Sequence, residues 1–408
     1  MKMMVAVAFT LGFEAVLLAA LEPVSPVGDE TVPLLPEVQK KVLSLPTLAE
    51  RIAFFEENPS ARTCACWRVS QPLVLCCRAT EGECGPWRIS IGKRPDLSDA
   101  RVLYTWNAKV DAATGRAGAA EASGPLVRIE VADANLELAT RYYWKVRNCR
   151  ICGFGCHPKH GCVACTNRPE TVVSSFVTEG LAPRWIAVEG RVGNIRDLGG
   201  RRGLGGRRIP QGMIYRGQGL NDNSVSGDIR GRNRLTVEDV AYLTGTLGIK
   251  MDLDLRGSGE TADLDVSPLG PRVRLVKRSS QCYRDIFNAV GKRNMAENFR
   301  EFCDRGNYPI YFHCIGGADR TGALAYVLEA VLGVSRQELE TDWESTFYPN
   351  VPDANPDPNF WCRESHFNDG FGRYGDAKTP WNDRVVLYLK DCGVTDAEIA
   401  AFREIMLP

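Results

Sequence analysis

The sequence predicts a multidomain chain: an all-β sandwich followed by an α/β domain. Three observations carry this. Short β-rich runs punctuated by Pro, Gly, Asn and Asp fill residues 60–180; helical and strand patterns alternate after Gly180; and ten of the fifteen cysteines lie between Cys64 and Cys165. At 408 residues the chain is long enough for two or three domains, and 44% apolar with 25% charged residues is the balance of a globular protein with a sizeable core.

Fifty basic residues offset fifty acidic ones, so no overall field favours nucleic acid or an anionic membrane as partner. Residues 1–20 begin with Lys2 and continue as an apolar run ending in Ala19 and Ala20, the pattern of a secretory signal peptide. Glu14 interrupts that run and leaves an amphipathic helix as the alternative. No later apolar run approaches the roughly 20 residues of a membrane span. The expected organisation is a signal peptide at 1–20, a helical or linker segment at 21–59, the β module at 60–180 and the α/β domain at 185–408. The expected location is outside the cytoplasm, secreted or periplasmic.

The clustered cysteines fall into two groups of five: Cys64, Cys66, Cys76, Cys77 and Cys84, then Cys149, Cys152, Cys156, Cys162 and Cys165. In an oxidising compartment they form up to five disulfides of undetermined connectivity. Zinc is the rival occupant, because Cys149-x-x-Cys152 and Cys162-x-x-Cys165 present four soft ligands from two short loops, with His157 and His160 between them.

Strands are predicted at Trp87–Ile91, Arg101–Trp106, Leu126–Val131, Arg141–Val146 and Val172–Val177. At ANLELATRYYWKVR (134–147) and SSFVTEG (174–180) the segment resembles a fibronectin type III domain. The resemblance implies a binding or spacing module with a surface or protein partner, and the cysteine-rich hairpin departs from its pattern.

In the second part, Thr236–Asp239 starts a helix running through Val240, Leu243 and Leu247 to Gly248, and Ile249–Leu255 reads as a buried strand. A helix over Arg293–Arg305 and a strand over Pro309–Phe312 follow. That strand opens into HCIGGADRTG, His313–Gly322. A turn of small residues (Ile315, Gly316, Gly317, Ala318) lets successive backbone N–H groups converge, and the helix that follows points its positive end at the same place. The result is a cup for an oxyanion. Cys314 lies at its floor, where those donors favour a thiolate, and the planar fork of Arg320 suits two phosphate oxygens at once.

At these residues the chain resembles the protein tyrosine phosphatase superfamily, whose signature is His-Cys, five residues, Arg, then Ser or Thr. NIRDLGG (194–200), IYRG (214–217) and MDLDLRGSGET (251–261), with the Asp-Arg-Thr-Gly ending of the loop, resemble the bacterial branch that includes dual-specificity and lipid phosphatases. The resemblance covers roughly 185–345 and resumes at GVTDAEIAAFREIM (393–406). It implies a phosphoric monoester hydrolase that works through a phosphocysteine, without metal or other cofactor. Cys314 is then the nucleophile, Arg320 the phosphate ligand, Asp319 the general acid, Thr321 a hydrogen-bond donor to the leaving sulfur and His313 an organiser of the loop. Asp285 and Asp254 stand as alternative acids. Asn194, Arg196 and Asp197 frame the pocket, whereas Asp254, Arg256 and Glu260 read as ion pairs behind it.

Relatives active on lipids carry lysine where this loop has Ala318. The loop therefore leans toward phosphotyrosine in proteins over phosphoinositides or inositol polyphosphates, unless the arginines at 201–208 fold over the site. A phosphate-reading module without turnover, and a β module with the phosphatase as cargo, are the non-enzymatic alternatives. Residues 350–380, rich in Pro, Asn, Asp and aromatics, read as an insertion near the pocket.

Overall fold

The computed structural model describes residues 21–62, 64, 67–79, 86–111, 125–149, 170–190, 192–220, 234–257, 260, 264–348 and 367–408. It divides into two units. The first takes Met1–Glu30, Val74–Val131 and Tyr142–Phe176; the second takes Thr31–Leu73, Ala132–Arg141 and Val177–Pro408.

Two sheets supply the strands of the first unit. One is ordered Glu22–Ser25, Leu73–Arg78, Leu126–Val131, Ala108–Asp111; the other includes Ser174–Thr178, Arg141–Asn148, Trp87–Gly92 and Arg101–Thr105 in that order. Arg141–Asn148 alternates exposed and buried residues with period two, as a strand with one wet face must. Trp87, Ile89, Val127, Ile129, Trp144, Val146 and Phe176 are its buried side chains, and Trp144 Nε1 donates to the Pro26 carbonyl at 3.0 Å. The strands at 22–25, 73–78 and 108–111 were not anticipated from sequence, being too short or too mixed in pattern. Cys64 is disulfide-bonded but Cys149 is a buried free thiol, so the ten clustered cysteines do not close five disulfides; Cys66, Cys84, Cys152, Cys156, Cys162 and Cys165, with His157 and His160, lie outside the described residues, as does the signal-peptide segment. Among the described residues no cluster of potential metal ligands occurs, and no helix is long and apolar enough to cross a membrane.

The second unit is α/β. Its six-stranded sheet runs Arg184–Trp185, Arg196–Asp197, Ile214–Gly217, Ile310–His313, Met251–Asp254, Arg274–Lys277. The last four strands are parallel, in a register that aligns Gly217, His313 and Asp254 at their C-terminal ends. That edge is where open α/β sheets place ligands. All four residues of each of Ile214–Gly217, Ile310–His313 and Met251–Asp254 are buried, including the charged or polar Arg216, His313, Asp252 and Asp254. Helices Ala289–Glu301, Asp319–Val331, Trp381–Asp391 and Asp396–Met406 contribute Phe299, Leu324, Val327, Leu328, Tyr388, Leu389 and Phe402 to the main core.

Two helices differ from expectation. The one expected at 293–305 spans Ala289–Glu301, because the Asn288 side chain accepts from the Gly291 N–H and caps it four residues earlier. The helix begun at Thr236 keeps its capping box with Asp239 but changes to a π turn over Tyr242–Thr246.

Residues 31–73, split by the sequence reading between a linker and the β module, pack within the second unit. Thr31–Val32 pairs parallel to Val177–Thr178. Helices Glu37–Leu43 and Leu48–Glu57 follow, the second closed by a capping box of Thr47 and Glu50. Phe55, Trp67 and Tyr348 form an aromatic cluster with centroids 4.8–5.7 Å apart. Arg51, fully buried, places its fork on Glu344 at 2.6 and 3.0 Å and reaches Glu340 at 3.0 Å. A linker has no reason to bury an arginine; this one braces helix Arg336–Ser345.

Candidate active site

His313 ends the central parallel strand, and the loop from Cys314 to Ala318 turns into helix Asp319–Val331. Cys314 is only 2% exposed, at the floor of the turn and in contact with the main core. Gly317 takes φ +64°, and a β-carbon there would lie 2.3 Å from the Gly217 carbonyl oxygen, so the loop runs against the neighbouring strand with room only for glycine.

The loop carbonyls are drawn away from the cup. Asn194 Nδ2 donates to the carbonyls of Gly316 and Gly317 at 3.2 and 3.1 Å, Arg216 Nη2 donates to Gly317 at 2.8 Å, and the Gly219 N–H donates to Ile315 at 3.0 Å. When three consecutive carbonyls are held by donors on one side, the peptide units turn their N–H groups toward the opposite side of the loop. Asn194 itself has φ +57°, a conformation asparagine tolerates better than most residues.

Behind these donors lies a buried charge cluster. Asp342 accepts from Arg196 at 2.8 and 3.2 Å, from Arg201 at 2.9 Å and from Arg216 at 2.6 Å. Burial alone would raise the Asp342 carboxyl; the charges of Arg196, Arg216 and Arg201 overrule it and hold it well below the usual carboxylate range. Burial and the adjacent Arg196 charge pull Arg216 down to about 10, partly opposed by Asp342. Glu329 Oε1 is 2.8 Å from Arg201 Nη1 but without hydrogen-bond alignment, and burial raises its carboxyl. Arg196 also donates to Asn194 Oδ1 at 2.6 Å and lies 5.1 Å from the Trp185 ring centre. The cluster thus fixes Asn194 and Arg216, and they fix the loop.

The expected pocket residues therefore separate. Asn194 touches the loop from behind, and Arg196 acts through it. Asp197 is fully buried and takes the N–H groups of Gly199 and Gly212 and the Arg184 fork, so its polar atoms are committed away from the cup. His313 Nε2 lies 2.8 Å from Asp252 Oδ1, and its Nδ1 lies 3.2 Å from the Cys314 carbonyl oxygen. Burial lowers His313, but Asp254 and Asp252 outweigh it and favour the imidazolium. Asp254 is clamped by Arg256 at 2.7–3.0 Å, which occupies one alternative acid. Among the described residues no side-chain hydrogen bond or ion pair ties Asp285 to the loop.

At the rim, Arg320 pairs with both oxygens of Glu260. Burial lowers the Arg320 guanidinium, and the Glu260 hydrogen bond with the Cys314 charge more than restores it. Glu260 is accordingly a partner of the loop arginine and not an ion pair behind the site. Asp319 Oδ1 accepts from the Tyr283 hydroxyl. Thr321 is fully buried, and its hydroxyl has no hydrogen-bond partner among the described residues. Sequence reasoning passed over Arg216, Asp342, Arg51 and Tyr283. Of these only Arg216 carried a signal, as the charged residue inside the apolar IYRG strand.

Comparison with known proteins bears on the same region. Residues 187–354 match the tyrosine phosphatase family. A curated relative from Cupriavidus necator, named "Putative tyrosine-protein phosphatase H16_A0669", is 29% identical over 200 residues, 41% of this chain and 67% of that protein. Among solved structures, the core catalytic domain of the PP-IP phosphatase SIW14 from S. cerevisiae in complex with citrate matches at 16% identity with a TM-score of 0.23, covering 35% of this chain and 80% of that one. The family match and the relative support a phosphatase, a hydrolase of phosphate esters. The matched segment contains Asn194, Arg216, the loop and Asp342; residues 31–73, which brace it, lie outside.

Proposed function

We propose that the second unit hydrolyses phosphate monoesters through a phosphocysteine intermediate, with phosphotyrosine in proteins as its substrate class. The observation that carries this reading is the draw on the loop carbonyls from one side, which turns the loop N–H groups to the other, as a phosphate cup at Cys314 requires. The sulfur of Cys314 attacks phosphorus, the bond to the leaving oxygen breaks, and Asp319 delivers the proton that oxygen needs. Arg320 and the loop N–H groups take up the charge on the non-bridging oxygens. Water then attacks the phosphocysteine with Asp319 accepting its proton, phosphate departs, and the Thr321 hydroxyl donates to the departing sulfur. Cys314→Ser is expected to retain phosphate-ester binding and lose turnover by orders of magnitude, since an alcohol is far less ionised than a thiol at neutral pH. Wild-type turnover in that variant would end the covalent reading.

For the substrate class, the arginines of 201–208 supply the deciding contrast. Arg201 is buried on Glu329 and Asp342, Arg202 donates to Gly206, Arg207 to Leu407, and Arg208 to Gly200. They are committed to their own loop and to the C-terminus, and leave Ala318 uncompensated. Phosphotyrosine peptides are therefore expected to exceed phosphoinositides and inositol hexakisphosphate in kcat/KM at fixed ionic strength. The reverse order would move the assignment to polyphosphate substrates.

The first unit we read as a fibronectin type III-like module that binds a surface or protein partner, on an exported chain in which Cys64 is disulfide-bonded and Cys149 keeps a buried free thiol. The two sheets support the module reading. Mass mapping of the oxidised protein tests the disulfide, and stoichiometric zinc released by a chelator would replace it.

A further inference from the structure

We propose that Tyr283 is a positioning residue for proton transfer, holding the Asp319 carboxylate so that one oxygen stays aimed at the leaving group. The inference rests on the phosphatase reading of the loop and adds to it a residue from a distant segment.

Three observations place Tyr283 in this role. Its hydroxyl donates to Asp319 Oδ1, which leaves Oδ2 as the oxygen able to carry and deliver a proton. Its backbone has φ +53°, a left-handed conformation that an aromatic residue enters at a steric cost, so surrounding structure fixes it there. Its ring meets Trp343 edge-on with centroids 5.9 Å apart. Trp343 in turn packs close against helix Asp319–Val331, where a β-carbon on Gly322 would come within 2.7 Å of the indole. Ring and carboxylate are thereby referenced to the same helix, and the hydroxyl meets Asp319 without rotameric search.

The preceding residue supports the placement. Burial, with the charges of Asp319 and Cys314 nearby, pushes the Cys282 thiol up to about 12. The turn Tyr283–Phe287 packs on helix Asp319–Val331, and the Cys282 thiol before it adds no negative charge beside the carboxylate.

A phenol that only filled space would affect all substrates alike. A phenol that orients the acid matters in proportion to how much the leaving group needs a proton. In Tyr283→Phe, kcat/KM on a phosphotyrosine peptide is expected to fall about ten-fold or more, the size of a lost hydrogen bond to a charged group. On an activated nitroaryl phosphate it should change less than about two-fold, by the same leaving-group argument. In an Asp319→Asn background the additional loss on the peptide should vanish, because the two residues act as one unit. Inhibition by vanadate reports the loop itself and should stay at the wild-type level. Equal losses on both esters, full additivity with Asp319→Asn, or loss of vanadate binding would each overturn the role of Tyr283. Asp319→Asn read alone separates this from the parent reading: if that variant slows both esters equally, Asp319 is not the acid and both fall. If it slows only the peptide while Tyr283→Phe slows neither, the acid stands and Tyr283 does not.

Discussion

The two sides of the phosphate loop are built from different materials. Behind it, Asn194, Arg196, Arg216 and Asp342 are all under 5% exposed and interlocked, among the described residues, by ten hydrogen bonds of 2.6–3.3 Å that include the loop carbonyls and Thr346. In front, Asp319 and Arg320 are partly exposed and are met by one side chain each, Tyr283 and Glu260. The difference separates two tasks. A cup of N–H groups works only if it is formed before substrate arrives, so its rear is rigid and dry. Residues that move protons or close on a phosphate must reach solvent and substrate, so their supports are single and local. Damage behind the loop is therefore expected to appear as lost folding, and damage in front as lost rate.

The sharpest break of that contrast is Asp342→Asn. It strips the counter-charge from three buried arginines at once, where leaving even one buried charge unpaired costs about 3–5 kcal/mol. The variant is expected to fold poorly or not at all, and what remains soluble should lose affinity for vanadate together with turnover. A stable protein with normal vanadate binding would show that the cluster is not what shapes the loop.

Arg51→Ala tests whether residues 31–73 belong to the rear. Both partners, Arg51 and Glu344, are fully buried, so the substitution leaves an uncompensated carboxylate and is expected to cost about 3 kcal/mol or more, seen as a lowered midpoint in urea. At low temperature the folded fraction should keep its kcat/KM, because Arg51 reaches the loop only through helix Arg336–Ser345. A fragment starting at residue 60 should behave still worse, since it also loses Phe55 from the aromatic cluster.

What could be read from the sequence divides along the same line. The loop residues of the front are local: Cys314, Asp319, Arg320 and Thr321 sit within eight positions, where the resemblance to the phosphatase signature marks them together, while their supports Tyr283 and Glu260 come from distant segments. The rear is assembled from residues 194, 196, 201, 216 and 342, and the last stands in a helix whose sequence, RQELETDWES, is indistinguishable from a solvated one. Nothing about Asp342 in isolation says that it is buried. The same holds for Arg51, since a charged residue in a helix reads as a surface residue until its partner is known. The strands at 251–254 and 310–313 were legible because each sits in a β-rich apolar stretch that follows a helix pattern ended by glycine, at Gly248 and Gly306. The short strands at 22–25 and 108–111 were not, because at four residues periodicity has too few repeats to register.

The pH dependence of stability gives a smaller effect that sharpens the comparison. His313 is raised above its ordinary value by Asp254 and Asp252 against burial, and burial pushes Glu344 up to about 7 despite the Arg51 fork. Both groups hold protons in the folded state that the unfolded chain releases. Their stabilising contribution is complete below the unfolded values, near 6.5 and 4.5, and is lost as pH rises through the folded ones. Asp254, with burial outweighed by His313 and Arg256, and Asp342 are held low and act only in strong acid, where stability is lost as pH falls. The melting temperature is therefore expected to peak on the acid side of neutrality, to decline as pH rises through about 7, where Glu344 loses its proton, and to decline further as His313 loses its own. His313→Gln should flatten the upper part of that decline. An unchanged slope would mean that the imidazole is not charged in the folded protein.

The smallest expected effect is at the rim. Glu260 binds Arg320 through both terminal nitrogens, and Nε is the guanidinium nitrogen outside that pair. Its side chain is 36% exposed, so as an ion pair it contributes little to stability. Glu260→Gln should leave the melting temperature within about a degree, consistent with the small cost of surface changes, while kcat/KM falls roughly three- to ten-fold as the arginine loses its fixed orientation. Because the remaining attraction to substrate is less well aimed, the loss should fall on kcat more than on KM. If instead Glu260 only competes with phosphate for the fork, removing its charge would tighten substrate binding and raise kcat/KM. That opposite sign makes the variant decisive for whether the front of the loop is held in place or held in check.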